Sequence, residues 1–228
     1  MIYLLSALLL ISSLSLAKPA EPALEIALSD VGPFAYKEAG GIRGINYEIL
    51  QDLAKKSGLN FKYRLYPHVR LKNALPNVDP DLSILFSGAC NKFSDKYEIQ
   101  TKIYTAKPTL FLKSSVNLQD ERIRIGLIRG TCTDLSKRYF KPQMVTDILD
   151  ITQAIDMMAA GRLEGVCGLI PVVKFGLERK KNFTEKLIQS HADSEILESV
   201  ICRKKSLSLE IKKKLDEAGK NLKIPALD

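Results

Sequence analysis

From Arg124 to Pro171 the chain reads RIGLIRGTCTDLSKRYFKPQMVTDILDITQAIDMMAAGRLEGVCGLIP, and this stretch decides the fold. The apolar run that ends at Ile128 predicts a strand, and Arg129-Gly130-Thr131-Cys132-Thr133 predicts a turn behind it. A second strand follows, then a helix over TQAIDMMAAG and a third strand over EGVCGLIP. A turn that leaves a strand and opens a helix presents free backbone N–H groups and the positive end of the helix dipole, which suits an anionic ligand group. Gly130 can take backbone angles barred to other residues, and the hydroxyls of Thr131 and Thr133 can either cap the helix or donate to a ligand.

Outward from this stretch, the first seventeen residues, MIYLLSALLLISSLSLA, form an apolar run closed by Ser15-Leu16-Ala17, with small residues where signal peptidase reads. They predict a cleaved secretory signal (1–17), although no Lys or Arg precedes the apolar core. The run is shorter than the ~20 apolar residues of a spanning helix, and no later segment reads as a membrane span. The chain expected after cleavage is exported and begins at Lys18, long enough for two lobes of roughly a hundred residues each. With 46% apolar and 26% charged residues the composition is that of a globular protein, and neither disorder nor low complexity is indicated. Net charge is +8, but runs such as Arg179-Lys180-Lys181 and Lys212-Lys213-Lys214 read as solvated faces, and no aromatic interleaving points to nucleic acid.

Four cysteines, Cys90, Cys132, Cys167 and Cys202, sit in an oxidising context and predict two disulfides, with three connectivities left open. A Cys90–Cys132 bridge would tie the lobes together across the cleft. No CxxC occurs, so neither a zinc ribbon nor a thioredoxin-type site is indicated, and no cofactor or metal is expected.

The remaining order is strand, helix, strand, helix, strand. ALEIALS leads into Asp30-Val31-Gly32-Pro33-Phe34-Ala35-Tyr36, and Gly40-Gly41 reads as a hairpin tip. Asn46 is expected to cap the helix NYEILQDLAKKSG, which stops at Gly58. FKYRLY, the short helix opened by Pro67-His68-Val69-Arg70, and DLSILFSG follow. That order predicts crossover connections, with functional loops at the carboxyl ends of the strands, where Phe34, His68, Arg70, Ser87 and Gly88 fall. Tyr104 to Pro108 reads as the first crossing between lobes, and SEILESVICRKK reads as the strand that returns. Lobe one is therefore expected at 18–105 and 196–228, lobe two at 106–195, with a ligand cleft between them.

Several fragments in this order resemble the periplasmic solute-binding proteins of the polar amino acid type, extracellular solute-binding family 3. Pro33-Phe34-Ala35-Tyr36 resembles the PPF-x-[YF] turn, and GGIRGINYEILQDLAKKSGL is similar to the G-x-x-x-G-[FY]-[DE]-x-[DE]-L helix entry. NVDPDLSILFSG resembles the G-x-[VI]-D strand, IRIGLIRGT the K-[VI]-x-V-x-x-G-[ST] turn, and QAIDMMAAGRLEGVCGLIPV the helix and strand A-[LI]-x-x-L-x-x-G-[RK]-[VL]-D-A-[VI]. The resemblance implies a type II periplasmic-binding-protein-like α/β fold. Each lobe would be a mixed, mostly parallel sheet flanked by helices, and two hinge crossings would join the lobes. It also implies that Phe34 packs on a ligand and that Thr131 holds an acidic group. Arg70 resembles an arginine found after the second strand in some members, and a guanidinium suits two-pronged binding of a carboxylate or phosphate. The candidate ligand-binding residues are Phe34, Tyr36, His68, Arg70, Ser87, Lys92, Tyr104, Arg129 and Thr131.

Two departures bear on the ligand. The arginine of the T-x-x-[ED]-R clamp is missing from the run Gly88 to Lys96, where Lys92 or Lys96 is the candidate replacement. The acidic residue that precedes the proline after lobe two's third strand is missing from Leu169-Ile170-Pro171. An ammonium desolvated without its carboxylate costs several kcal/mol, so a free α-amino acid is disfavoured and an anionic or uncharged polar solute expected. The expected role is that of a monomeric binding protein serving an ABC-type membrane permease or a sensor, not a catalyst. The alternatives are a dehydratase-like enzyme on the same fold, with His68 as the candidate acid or base, and a ligandless member acting through protein contacts.

Overall fold

The computed structural model describes residues 23–117, 120, 122–128, 132, 140–181, 183–192, 196–225 and 227. The signal read at 1–17 and the residues Arg129, Gly130, Thr131 and Thr133 lie outside the described residues.

Twelve strands are described, ten of them in two five-stranded sheets. In the first sheet β1 (Leu24–Ser29) lies between β4 (Phe61–Tyr66) and β5 (Leu82–Phe86), parallel to both. Flanked on both edges, β1 is buried along almost its whole length, whereas β4 at the sheet edge alternates half-buried and exposed residues. Two long strands, β6 (Tyr97–Ala106) and β12 (Leu197–Lys204), complete the order β4-β1-β5-β12-β6, and β12 is antiparallel to both of its neighbours.

The second sheet repeats this plan. Its parallel trio is β8 (Ile125–Ile128) between β9 (Val145–Ile148) and β10 (Gly165–Leu169), and β7 (Pro108–Lys113) and β11 (Leu187–Ala192) add antiparallel pairings. Each sheet thus divides evenly between parallel and antiparallel pairs, because the strands that enter from the other lobe run against the crossover trio. Lys107 alone separates β6 from β7, so the first crossing is narrower than Tyr104 to Pro108. The short strands β2 (Tyr36–Glu38) and β3 (Gly41–Arg43) make a hairpin of their own.

Helices cover both sheets. In α1 (Ile45–Ser57) the residues Ile49, Leu50 and Leu53 point into the first core, and Gly58 closes the helix at φ 67°. Gly44, not Asn46, takes the N-cap position, and the first N–H groups of α1 are satisfied by the loop before it: Ile45 N–H donates to Pro33 C=O and Asn46 N–H to Phe34 C=O. Asn46, buried in the first turn of α1, has its side chain left for another task. In α2 (His68–Val78) Pro76 and the non-helical Ala74 break the last turns. The short α3 (Ser87–Asn91) follows β5, α4 (Ile151–Ala159) is capped by the Asp150 carboxylate, and α5 (Ile170–Arg179) carries Pro171 in its first turn. The last helix, α6 (Leu209–Gly219), packs Leu215 and Ala218 into the first core beside α1.

The disulfides are Cys90–Cys202 and Cys132–Cys167. The first joins α3 to β12 within one sheet's lobe, and the second fastens the segment after β8 to β10 within the other. A Cys90–Cys132 bridge across the cleft is therefore excluded. Among the described residues no helix is long and apolar enough to cross a membrane.

Candidate functional site

The carboxyl ends of the parallel strands converge between the sheets. Ser29 ends β1, Phe86 ends β5, Ile128 ends β8 and Leu169 ends β10, and all four line one cavity. Val31 and Phe34 from the first turn, Asn46, His68, Tyr104, Ser199 and Val172 complete most of its wall. It offers about 60 Å³ to the centres of water-sized molecules, room on the order of four waters. Its walls are mostly apolar, and one hydrophobic cluster runs from Ile148 and Val173 in the second lobe through the cavity to Phe34.

Gly44 sets the first wall. At φ 117° it lies where a side chain is strained, and a Cβ there would come 2.5 Å from Pro33 O and 2.6 Å from Phe34 O. This close approach lets the 31–35 turn fold onto the start of α1 and deliver Phe34 into the cavity. The Phe34 ring stacks on Tyr104, centroids 5.5 Å apart and planes 11° apart. The Tyr104 hydroxyl donates to Asn46 Oδ1 at 2.8 Å, which is the task of that buried asparagine. Burial pushes the Tyr104 phenol up to about 12, so it stays protonated.

His68 is the first residue of α2, its ring edge-on to Phe86 at 6.3 Å, with Nδ1 3.3 Å from Ser29 Oγ. Its Nε2 is buried without a hydrogen-bond partner among the described residues. Burial, helped by the Lys72 charge, pushes His68 down to about 4, so the ring is neutral near pH 7. Beyond Ser29, the Asp30 carboxyl is pushed up by burial and by Asp150 of the other lobe.

Of the candidate residues, the structure brings Phe34, His68 and Tyr104 together in the cavity. Four others stand elsewhere. Arg70 is exposed, its guanidinium 5.6 Å from the Tyr66 ring centre; Lys92 is exposed over Phe93; and Ser87 begins α3 outside the lining. Tyr36 faces the second lobe away from the cavity, tilted against Phe175 at 4.8 Å. Arg179 of α5 lies 4.7 Å from the Tyr36 ring centre and 4.4 Å from that of Phe175, and its Nη2 pairs with Glu38 Oε1 at 3.2 Å. Gly32 leaves room for this contact, since a Cβ there would sit 2.0 Å from Phe175 Cε1. Arg129 and Thr131, directly after Ile128, lie outside the described residues.

Ten lining residues are not among the candidates; they include Asn46, a hydrogen-bond acceptor, and Phe86, Ile128, Leu169, Val172 and Ser199, which form walls. Only their places at or near strand ends signal them. Leu169 belongs to the run that lacks the acidic residue, and among the described residues no charged side chain lines the cavity. No cluster of metal-binding side chains occurs among them either.

No family model matches the sequence, and no curated protein is similar to it at a significant level. Solved structures are similar in fold. The arginine-, lysine- and histidine-binding protein ArtJ of Geobacillus stearothermophilus is 17% identical, with 87% of this chain and 88% of that one covered and a TM-score of 0.65. A histidine kinase sensor domain with similarity to periplasmic binding proteins is 14% identical over 88% and 90% of the two chains, TM-score 0.69. The BvgS periplasmic VFT2 domain of Bordetella pertussis is 17% identical over 88% of each, TM-score 0.66. The chain thus has the two-lobed periplasmic-binding-protein-like fold that binding proteins and sensor domains share.

Proposed function

We propose that the chain is an exported solute-binding protein, not an enzyme, that closes its lobes on a small uncharged solute for a membrane permease or a sensor. The observation that carries this reading is the cavity between the sheets, walled by apolar side chains from both lobes and by a few neutral polar ones. Burying an ammonium or carboxylate against such walls costs several kcal/mol, which argues against the zwitterionic amino acids named for ArtJ. Two disulfides suit an oxidising compartment, and with the apolar amino terminus they support a periplasmic location.

The direct stacking of Phe34 on Tyr104 favours a second reading, in which the cleft is filled by its own aromatics and the chain acts through protein contacts. A thermal-shift screen separates the two. A solute at a hundred times its Kd adds about 2.7 kcal/mol of stability. The first reading predicts stabilisation by neutral polar or apolar solutes and none by amino acids. Silence across neutral, anionic and zwitterionic compounds would favour the second, and strongest stabilisation by an α-amino acid would contradict the proposed solute class.

A further inference from the structure

Most polar groups that line the cavity are already engaged. The Tyr104 hydroxyl donates to Asn46 Oδ1 and lies beside Ser199, and Ser29 Oγ faces His68 Nδ1. His68 Nε2 differs: it is buried and has no partner among the described residues. A buried polar atom without a partner is costly and uncommon in folded proteins, so one that persists at a cavity wall points to a group that completes it. The ring cannot readily turn to find water elsewhere. Pro67 fixes the entry to α2, Phe86 packs edge-on against the imidazole, and the Ser29 contact holds the opposite nitrogen.

We propose that His68 Nε2 is the polar anchor of the cleft, and that the solute it selects is a small neutral molecule, mostly apolar, carrying one hydroxyl or carbonyl oxygen. This inference rests on the reading of the cleft as a solute site. A neutral imidazole has one N–H and one lone pair, so the Ser29 contact decides which of them Nε2 presents. If the Ser29 hydroxyl donates to Nδ1, Nε2 carries the proton and binds a carbonyl or hydroxyl oxygen. If Nδ1 donates to Ser29, Nε2 accepts from a hydroxyl. Burial and Lys72 keep the ring neutral, which matches an uncharged partner, and the surrounding Phe34, Phe86, Ile128 and Leu169 supply the apolar contact.

The test uses the full mature chain labelled with ¹⁵N, with the His68 imidazole signals identified by their loss in His68→Gln. Cyclopentanol, cyclopentanone and L-alanine are titrated at pH 7. The expected result is that the alcohol or the ketone shifts the His68 Nε2 signal and that His68→Leu weakens its binding at least tenfold. L-alanine should bind more weakly than either. Binding of the ketone as well as the alcohol assigns the proton to Nε2, and binding of the alcohol alone assigns it to Nδ1. Should His68→Leu fail to fold by circular dichroism, Ser29→Ala serves instead and should change the ratio of alcohol to ketone affinity at least threefold; an unchanged ratio would overturn the anchor role. Oxygen probes that bind while the His68 signals stay still would overturn the inference and leave the solute-site reading intact. Tightest binding of L-alanine would overturn the neutral class, no binding by any of the three probes would overturn the inference, and silence in the wider thermal-shift screen would overturn the reading beneath it.

Discussion

At the scale of single residues, His68 and Gly44 make the sharpest statements. His68 is held near 4 in the fold against an ordinary value of 6.5, chiefly by burial. Its contribution to stability is complete above pH 6.5, where both folded and unfolded rings are neutral. It falls between pH 6.5 and 4, where the unfolded ring takes a proton that the folded ring refuses, and levels off below. The total loss is on the order of 3 kcal/mol. Urea unfolding from pH 8 to 4 should show this decline, and His68→Leu should flatten it. Gly44→Ala places a Cβ against two backbone carbonyls that cannot yield easily, and should destabilise by about 2 kcal/mol or more, read as a lower urea midpoint. What the sequence makes legible at this scale follows from position. Phe34 and His68 fall just after strands, where parallel sheets put their loops, and both line the cavity. Asn46 is misread because its capping propensity is real, but the backbone carbonyls of the 31–35 turn already serve the start of α1. Ile128 and Leu169 escape because an apolar residue at a strand end reads as core.

At the scale of elements, the β2–β3 hairpin and α5 meet through Tyr36, Glu38, Phe175 and Arg179. Nothing in the local sequence predicts this, since the partners lie far apart in the chain and belong to different lobes. Tyr36 reads as a ligand contact only because it shares a turn with Phe34. Arg179→Ala removes a partly exposed cation–π contact and an exposed ion pair that hold the lobes together outside the cavity. It should cost about 0.5–1 kcal/mol of closed form. The check is solute affinity, which should weaken a few fold while the stability of each lobe's core is unchanged. The disulfides act within lobes. Replacing Cys90 and Cys202 by alanine opens a separation of 112 residues, against 35 for Cys132 and Cys167. Each loss should cost about 2–5 kcal/mol, the longer loop more if chain entropy dominates, and urea unfolding of the two double variants ranks them.

At the scale of the whole molecule, the two-lobed plan is legible because each lobe repeats a strand–helix–strand order with its own hydrophobic periodicity. The even division of parallel and antiparallel pairs is less so, because pairing of β6, β7, β11 and β12 depends on the chain passing out of one sheet and back. The chemistry of the cleft is legible mainly through absences: the clamp arginine and the acidic residue are missing from the sequence, and apolar walls stand in the described cavity. Whether the cleft encloses a neutral solute is tested by a crystal structure of the protein with the neutral compound that stabilises it most. Density for that solute is expected between the lobes, enclosed by Phe34, Tyr104, Leu169 and Val172, with an oxygen within hydrogen-bonding distance of His68 Nε2. Density outside the lobes, or an amino acid held between them by its carboxylate and ammonium, would contradict it.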